Sequence, residues 1–254
     1  MTTEKTGPGK RKRVSAAANW LAGLAVPLAV LLVCFAVDMT ASERLTSDLG
    51  RSALLTLLAA TLQILVILSV VPWWSAGLLE HHSFGTLIAA LRVLTQTVSV
   101  TVLLLLLAFL QDRSAFADVF RAQTVVLCVG LLVAALAGLA QVALRRVKPA
   151  ALVTTFLGFF LFASPFWGNV PVRWAGEAWR AWAVGFVAGV TPLSACASAV
   201  GYDLFRGRML YVRSVVSDYP HRLPEWWVYA LVTGLAGVAL MELAALIRRR
   251  SRRS

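Results

Sequence analysis

Six stretches of this chain, Trp20–Val37, Ala53–Ala76, Val93–Leu110, Thr124–Leu144, Ala150–Val170 and Trp226–Ala245, carry one charged side chain between them, Glu242. Each is close to the roughly 20 residues that a helix needs to cross the hydrocarbon core of a bilayer. In lipid a spanning segment must satisfy its own backbone N–H and C=O groups, so apolar runs of this length predict transmembrane α-helices. Hydrophobic residues make up 59% of the chain, mean hydropathy is +0.77, and little sequence is left for a soluble domain. The predicted fold class is therefore all-α. Residues 20–247 are expected to form a single polytopic membrane domain between basic tails at 1–19 and 248–254. Trp20–Val37 is long, ends at Asp38 rather than at a small-residue cleavage site, and is followed by further spans, so it is expected to remain as a helix.

The net charge of +12 sits at informative places. Lys10, Arg11, Lys12 and Arg13 precede the first run, and Arg248, Arg249, Arg250, Arg252 and Arg253 follow the last. Basic segments flanking a span are kept in the cytoplasm, which predicts two cytoplasmic termini in the cytoplasmic (inner) membrane and an even number of crossings. This placement points to anionic lipid rather than to nucleic acid as the partner of the charge. A seventh uncharged run, Ala181–Tyr202, decides the count. Seven spans would put the arginine tail outside. Six put the tail, Arg145, Arg146 and Lys148 inside together. Gly185, Gly189, Thr191-Pro192, Ser194 and Ser198 interrupt this run, and proline removes a donor and clashes with the preceding turn. Six spans plus a broken re-entrant or interfacial hairpin at 181–202 is the expected architecture, with seven spans as the alternative.

Catalytic and metal signatures are scarce. Cys34, Cys128 and Cys196 lie in apolar surroundings without C-x-x-C spacing and read as packing residues. Gly7-Pro8-Gly9-Lys10 lacks the phosphate-binding loop spacing, and His81-His82 lacks the i, i+4 spacing of two ligands on one helix face. No metal and no cofactor is expected. Gln63, Gln96 and Gln141 fall inside spans, where they are expected to hydrogen-bond between helices. Trp167, Trp174, Trp179, Trp182, Trp226 and Trp227 read as an aromatic belt at the outer interface.

The loop 77–92 is the most informative connection. Leu78, Leu79, Leu87, Ile88 and Leu91 are interleaved with Glu80, His81, His82 and Ser83, the spacing of a short amphipathic helix lying along the cytoplasmic surface. The stretch Glu80-His81-His82-Ser83-Phe84-Gly85-Thr86-Leu87-Ile88-Ala89-Ala90-Leu91 resembles the permease subunits of type-2 ABC exporters. In that family an acidic residue, a Gly-Thr pair and a leucine-rich turn form a coupling helix against the ATPase. Thr191-Pro192-Leu193, then Leu223-Pro224-Glu225-Trp226-Trp227, a last span and an arginine cluster are similar to the family's terminal layout.

The resemblance implies a permease with no catalytic activity of its own, working as a homodimer or heterodimer with a separate ATP-binding subunit. Glu80, Gly85, Thr86 and Leu87 would then contact that subunit, and Thr191, Pro192 and Leu193 would form the outer hairpin. Gly130, Ala134, Ala135, Gly138, Gly234 and Gly237 would make close helix contacts, within one copy or between two. Two other readings stand beside it. An integral membrane enzyme acting on a lipid-type substrate could use Glu177, Asp203, Arg206, Asp218 and His221. A non-catalytic scaffold or accessory subunit needs only the helices.

Overall fold

A computed structural model describes residues 50–81, 85–111, 115–205, 219 and 223–251 of the chain, which are helical with short connections and no strand. The expected first span, Trp20–Val37, and the amino-terminal tail lie outside the described residues. In chain order the helices are α1 (Arg51–His81), α2 (Gly85–Gln111), α3 (Phe116–Leu144), α4 (Val147–Phe162), α5 (Ser164–Trp167), α6 (Asn169–Trp174), α7 (Glu177–Val190), α8 (Pro192–Ala199) and α9 (Trp226–Ser251).

Four of them, α1, α2, α3 and α9, are long and apolar enough to cross a membrane. Two bent pairs raise the number to six if each is one broken span: α4 with α5–α6, bent by 59°, and α7 with α8, bent by 73°. The protein is thus a helical membrane bundle.

The spans exceed the uncharged runs at several ends. Helix α3 begins at Phe116 rather than Thr124, because Asp118 and Arg121 face each other one turn apart at 3.5 Å and are tolerated in its first turns. Helix α9 continues through Arg248, Arg249 and Arg250 to Ser251, where cations complement the negative end of the helix dipole.

The expected straight span Ala150–Val170 is broken at Ala163. Pro165 follows at the start of α5, where its missing N–H is harmless but its ring excludes continuation of α4. The break expected in 181–202 falls at Thr191, which is extended (φ −80°, ψ 130°) as residues before proline prefer. Gly185 and Gly189 do not interrupt α7; they lie within it, and a Cβ on either would meet nothing.

Packing fixes the direction of each helix. A Cβ on Gly234 of α9 would meet Cys128 Sγ at 3.3 Å, and one on Gly237 would meet Leu132 N at 3.1 Å. Advancing together, α9 and α3 run parallel and approach closely because glycine leaves no side chain between them. Helices α1 and α3 are also parallel. Ala59 shares a core cluster with Val119, and farther along both helices Ser75 Oγ donates to the Ala134 carbonyl at 2.7 Å.

Helix α2 runs against both: Val93 packs on Gly130, and Thr101 reaches back to Gln123. The closing ends of α1, α3 and α9 therefore lie at one end of the bundle. That end carries Arg92, whose guanidinium stands 5.8 Å over the Trp74 ring, together with Arg145, Arg146, Lys148 and Arg248–Arg250. The small residues named above thus serve packing within one chain. Gly130 fits against Val93 and Ile67, and Ala134 and Ala135 are fully buried.

The opposite end holds α5 to α8. Val172 of α6, Val184, Val187 and Ala188 of α7, and Phe205 beyond α8 form one cluster, joined by Tyr219 and Leu223. After α8 the chain turns at Gly201 (φ +72°), where Tyr202 N donates to Ala197 O at 2.9 Å and Gly201 N to Ser198 O at 3.1 Å. This is a Schellman reversal, which glycine adopts without a Cβ penalty.

Candidate functional site

The residues implied in partner contact fall at the turn between α1 and α2. Glu80 lies in the last turn of α1, and Gly85 and Thr86 open α2, while His82, Ser83 and Phe84 lie outside the described residues. Among the described residues of 77–92 there is no separate interfacial helix; residues 77–81 complete α1 and 85–92 begin α2. Leu87 and Leu91 are more than half exposed, on the same face of α2 one turn apart. The closing end of α1 and the opening end of α2 lie at the basic end of the bundle.

Thr191, Pro192 and Leu193 do come together, as the joint between α7 and α8. A helix end leaves its last four carbonyls without partners inside the helix, which is expensive at membrane depth. Here hydroxyls from three directions answer three of them, those of Val187, Ala188 and Val190. Ser164 Oγ of α5 donates to Val187 O at 3.2 Å, and Tyr229 of α9 donates its O–H to Val190 O at 3.3 Å. Ser194 Oγ donates to Ala188 O and lies 2.9 Å from Thr191 O.

The Thr191 hydroxyl donates to Phe162 O of α4 at 3.1 Å and caps α8 by accepting from Leu193 N at 3.4 Å. Trp167 Nε1 donates to Phe160 O at 2.6 Å. The two helix breaks are thus tied to one another. Thr191, Ser194 and Ser164 are fully buried, and the ties are uncharged. With these carbonyls engaged by hydroxyls, the joint is a structural clasp rather than a set of open dipoles for an ion.

A second polar feature lies between α1, α2 and α3. Gln63 is 5% exposed and its amide, Oε1 and Nε2 alike, makes no hydrogen bond. Gln123 of α3 is the one that reaches another helix: its Oε1 stands 3.4 Å from Thr101 Oγ1 of α2, a long secondary contact of a hydroxyl whose shorter bond is within its own helix, and its Nε2 is unbonded. Thr97 and Thr101 turn their hydroxyls back onto their own helix, to Val93 O at 2.9 Å and Thr97 O at 2.7 Å. Gln96 and Gln141 are only half-buried. Gln123 escaped the sequence reading because it stands next to the charged segment 111–121, which looks like a loop.

Of the six tryptophans read as an interfacial belt, Trp167 and Trp226 are half-buried, Trp167 stacking on Phe160 and Trp226 packing against the core, and the other four are exposed at the far end of the bundle. Trp174 is 85% exposed, Trp179, Trp182 and Trp227 are also exposed, and Trp182 stacks on Phe186 with ring centroids 5.4 Å apart. Arg180 lies among them, its guanidinium 5.4 Å from the Tyr219 ring.

Of the residues an enzyme would use, Glu177 is exposed at the start of α7. Asp203 accepts from Phe205 N at 3.0 Å, and Arg206, Asp218 and His221 lie outside the described residues. Among the described residues no group of three or more His, Cys, Asp or Glu side chains converges. Cys196 is buried in the core and Cys128 packs beside Gly234. No protein-family model, no curated protein and no solved structure matches the chain.

Proposed function

We propose that this chain is the membrane-spanning permease subunit of an ATP-driven exporter of the type-2 ABC class, threaded six times through the cytoplasmic membrane with both termini in the cytoplasm. The observation that carries the reading is the parallel packing of α1, α3 and α9. It gathers the closing end of α1, the opening end of α2 and the basic residues of α3, α4 and α9 at one end, the arrangement that a cytoplasmic docking face requires.

The same packing bears on the span count. Because α9 runs parallel to α3, the chain between them crosses an odd number of times, so one bent pair spans and the other returns to its starting side. The cluster joining Phe205 to Val172 and Val184 favours α7–α8 as the pair that returns. A re-entrant outer hairpin before the last span agrees with the layout that the resemblance implies.

In this reading the chain performs no chemistry. A separate ATP-binding subunit docks at Glu80, Gly85, Thr86 and Leu87, and its closure moves two permease copies against each other. The exposed apolar faces of α2, α4 and α9 are available to lipid and to the second copy.

The test is copurification of the ATP-binding subunit, with its ATP hydrolysis measured in nanodiscs. Glu80→Ala and Gly85→Val are expected to weaken capture about tenfold, equivalent to about 1.4 kcal/mol, while leaving the bundle folded. Capture and hydrolysis unchanged in both variants would overturn the docking assignment.

A further inference from the structure

The register of three helices puts the two glutamines at nearly the same level. Ala59 and Val119 share a core cluster near one end of the α1–α3 contact, and Ser75 is bonded to Ala134 farther along. Gln63 and Gln123 each lie one helical turn beyond Ala59 and Val119 in the same direction, so they stand at one level between these two fixed points. Thr101 bridges to that level from α2.

The level falls near the middle of the apolar span Ser52–Leu78, in the first third of Phe116–Leu144 and in the last third of Leu87–Leu106. Gln63 is 5% and Gln123 3% exposed, and Gln63 Oε1, Gln63 Nε2 and Gln123 Nε2 carry no hydrogen bond to protein. Their buried neighbours one turn away on the same helix faces, Ala59, Ala60 and Ile67 on α1 and Val119 and Val126 on α3, offer none. Buried polar groups are almost always satisfied, and an unsatisfied amide is most unfavourable where the surroundings are hydrocarbon.

We infer that the side-chain amides of Gln63 and Gln123 hold internal water between α1, α2 and α3, forming a hydrated, uncharged binding site inside the bundle. The chemistry of the site fits water rather than an ion. Two amide nitrogens supply up to four N–H donors and Gln63 Oε1 supplies an acceptor, a mixed set that a water molecule, both donor and acceptor, can satisfy. The charged residues near the start of α3, Asp118 and Arg121, engage each other at 3.5 Å on its more exposed side. Buried waters typically make about three hydrogen bonds to groups of this kind, and here they would remove the only unmet polar atoms of both glutamines. The inference does not depend on the exporter reading, since it follows from the packing of one chain.

Water-edited solid-state NMR of the full chain in lipid, with side-chain 15N labelling of glutamine, tests it. The five glutamines, Gln63, Gln96, Gln111, Gln123 and Gln141, give five amide pairs, with Gln63→Leu and Gln123→Leu as assigning variants. Magnetisation from water is expected to reach Gln63 and Gln123 at rates within about fivefold of Gln141, which lies one turn from Arg145 at the bundle end. If either variant does not fold, the wild-type spectrum still decides, because the inference requires that no more than the mid-span Gln96 stay silent. Two or more silent pairs, or slower transfer at Gln63 and Gln123, would overturn it.

Discussion

Uncharged hydroxyls hold the broken part of this molecule, each against an identifiable carbonyl. Thr191 carries the most, because it ties α4 to the α7–α8 joint through Phe162 O and caps α8 through Leu193 N. Thr191→Val keeps the shape and removes the hydroxyl, leaving a buried carbonyl and an N–H unmet. It is expected to lower stability by about 1–3 kcal/mol, read as a lower unfolding midpoint in detergent, whereas Thr191→Ser should retain most of it. A midpoint unchanged in Thr191→Val would mean that the joint is held by packing alone. Arg145 offers the opposite case. It ends α3 with φ +54° and is exposed, so a side chain stands in the left-handed region without a contact to justify it. Arg145→Gly is expected to raise stability by up to about 1 kcal/mol in the same assay.

Among elements, the parallel contact of α9 on α3 brings a glycine directly against the backbone of a neighbouring helix. A Cβ at Gly237 would press on Leu131 C and Leu132 N, which cannot move without shifting α3, whereas one at Gly234 meets the Cys128 thiol. Gly237→Val is therefore expected to cost about 1–3 kcal/mol by overpacking, and Gly234→Ala clearly less, in parallel thermal unfolding measurements. Equal effects would mean that the two helices separate freely.

How much of these elements the sequence revealed follows from what each signal measures. Absence of charge over about 20 residues marks a span well, so α1, α2, α3 and α9 were legible. It marks ends poorly, since Asp118 and Arg121 neutralise each other inside α3 and Arg248–Arg250 continue α9.

Proline was an uneven guide to breaks. Pro192 follows the extended Thr191, but Pro72 lies inside an unbroken α1, and the break before Pro165 was not foreseen. What separates them is tertiary: the joints at Ala163 and Thr191 have hydroxyls and an indole from other elements to receive their freed carbonyls, and no sequence window displays that. The Gln63–Gln123 level was illegible for the same reason, because it depends on the register of three helices. The Thr191-Pro192-Leu193 joint could be read locally, whereas the role of Glu80, Gly85, Thr86 and Leu87 belongs to a surface facing outward from this chain.

For the whole molecule, the proposed function rests on the threading: one basic end holding the closing end of α1 and the opening end of α2, and an outer hairpin that enters and leaves on the opposite side. Single cysteines at Lys148, Gly176, Leu204 and Ser254, in a chain with Cys34, Cys128 and Cys196 replaced by alanine, measure it directly with a membrane-impermeant thiol reagent on intact cells. Gly176→Cys and Leu204→Cys are expected to react from outside, because α7 and α8 return to the side they leave, while Lys148→Cys and Ser254→Cys should react only after permeabilisation. Labelling of Gly176→Cys and Leu204→Cys from opposite sides, or of Ser254→Cys in intact cells, would contradict the account.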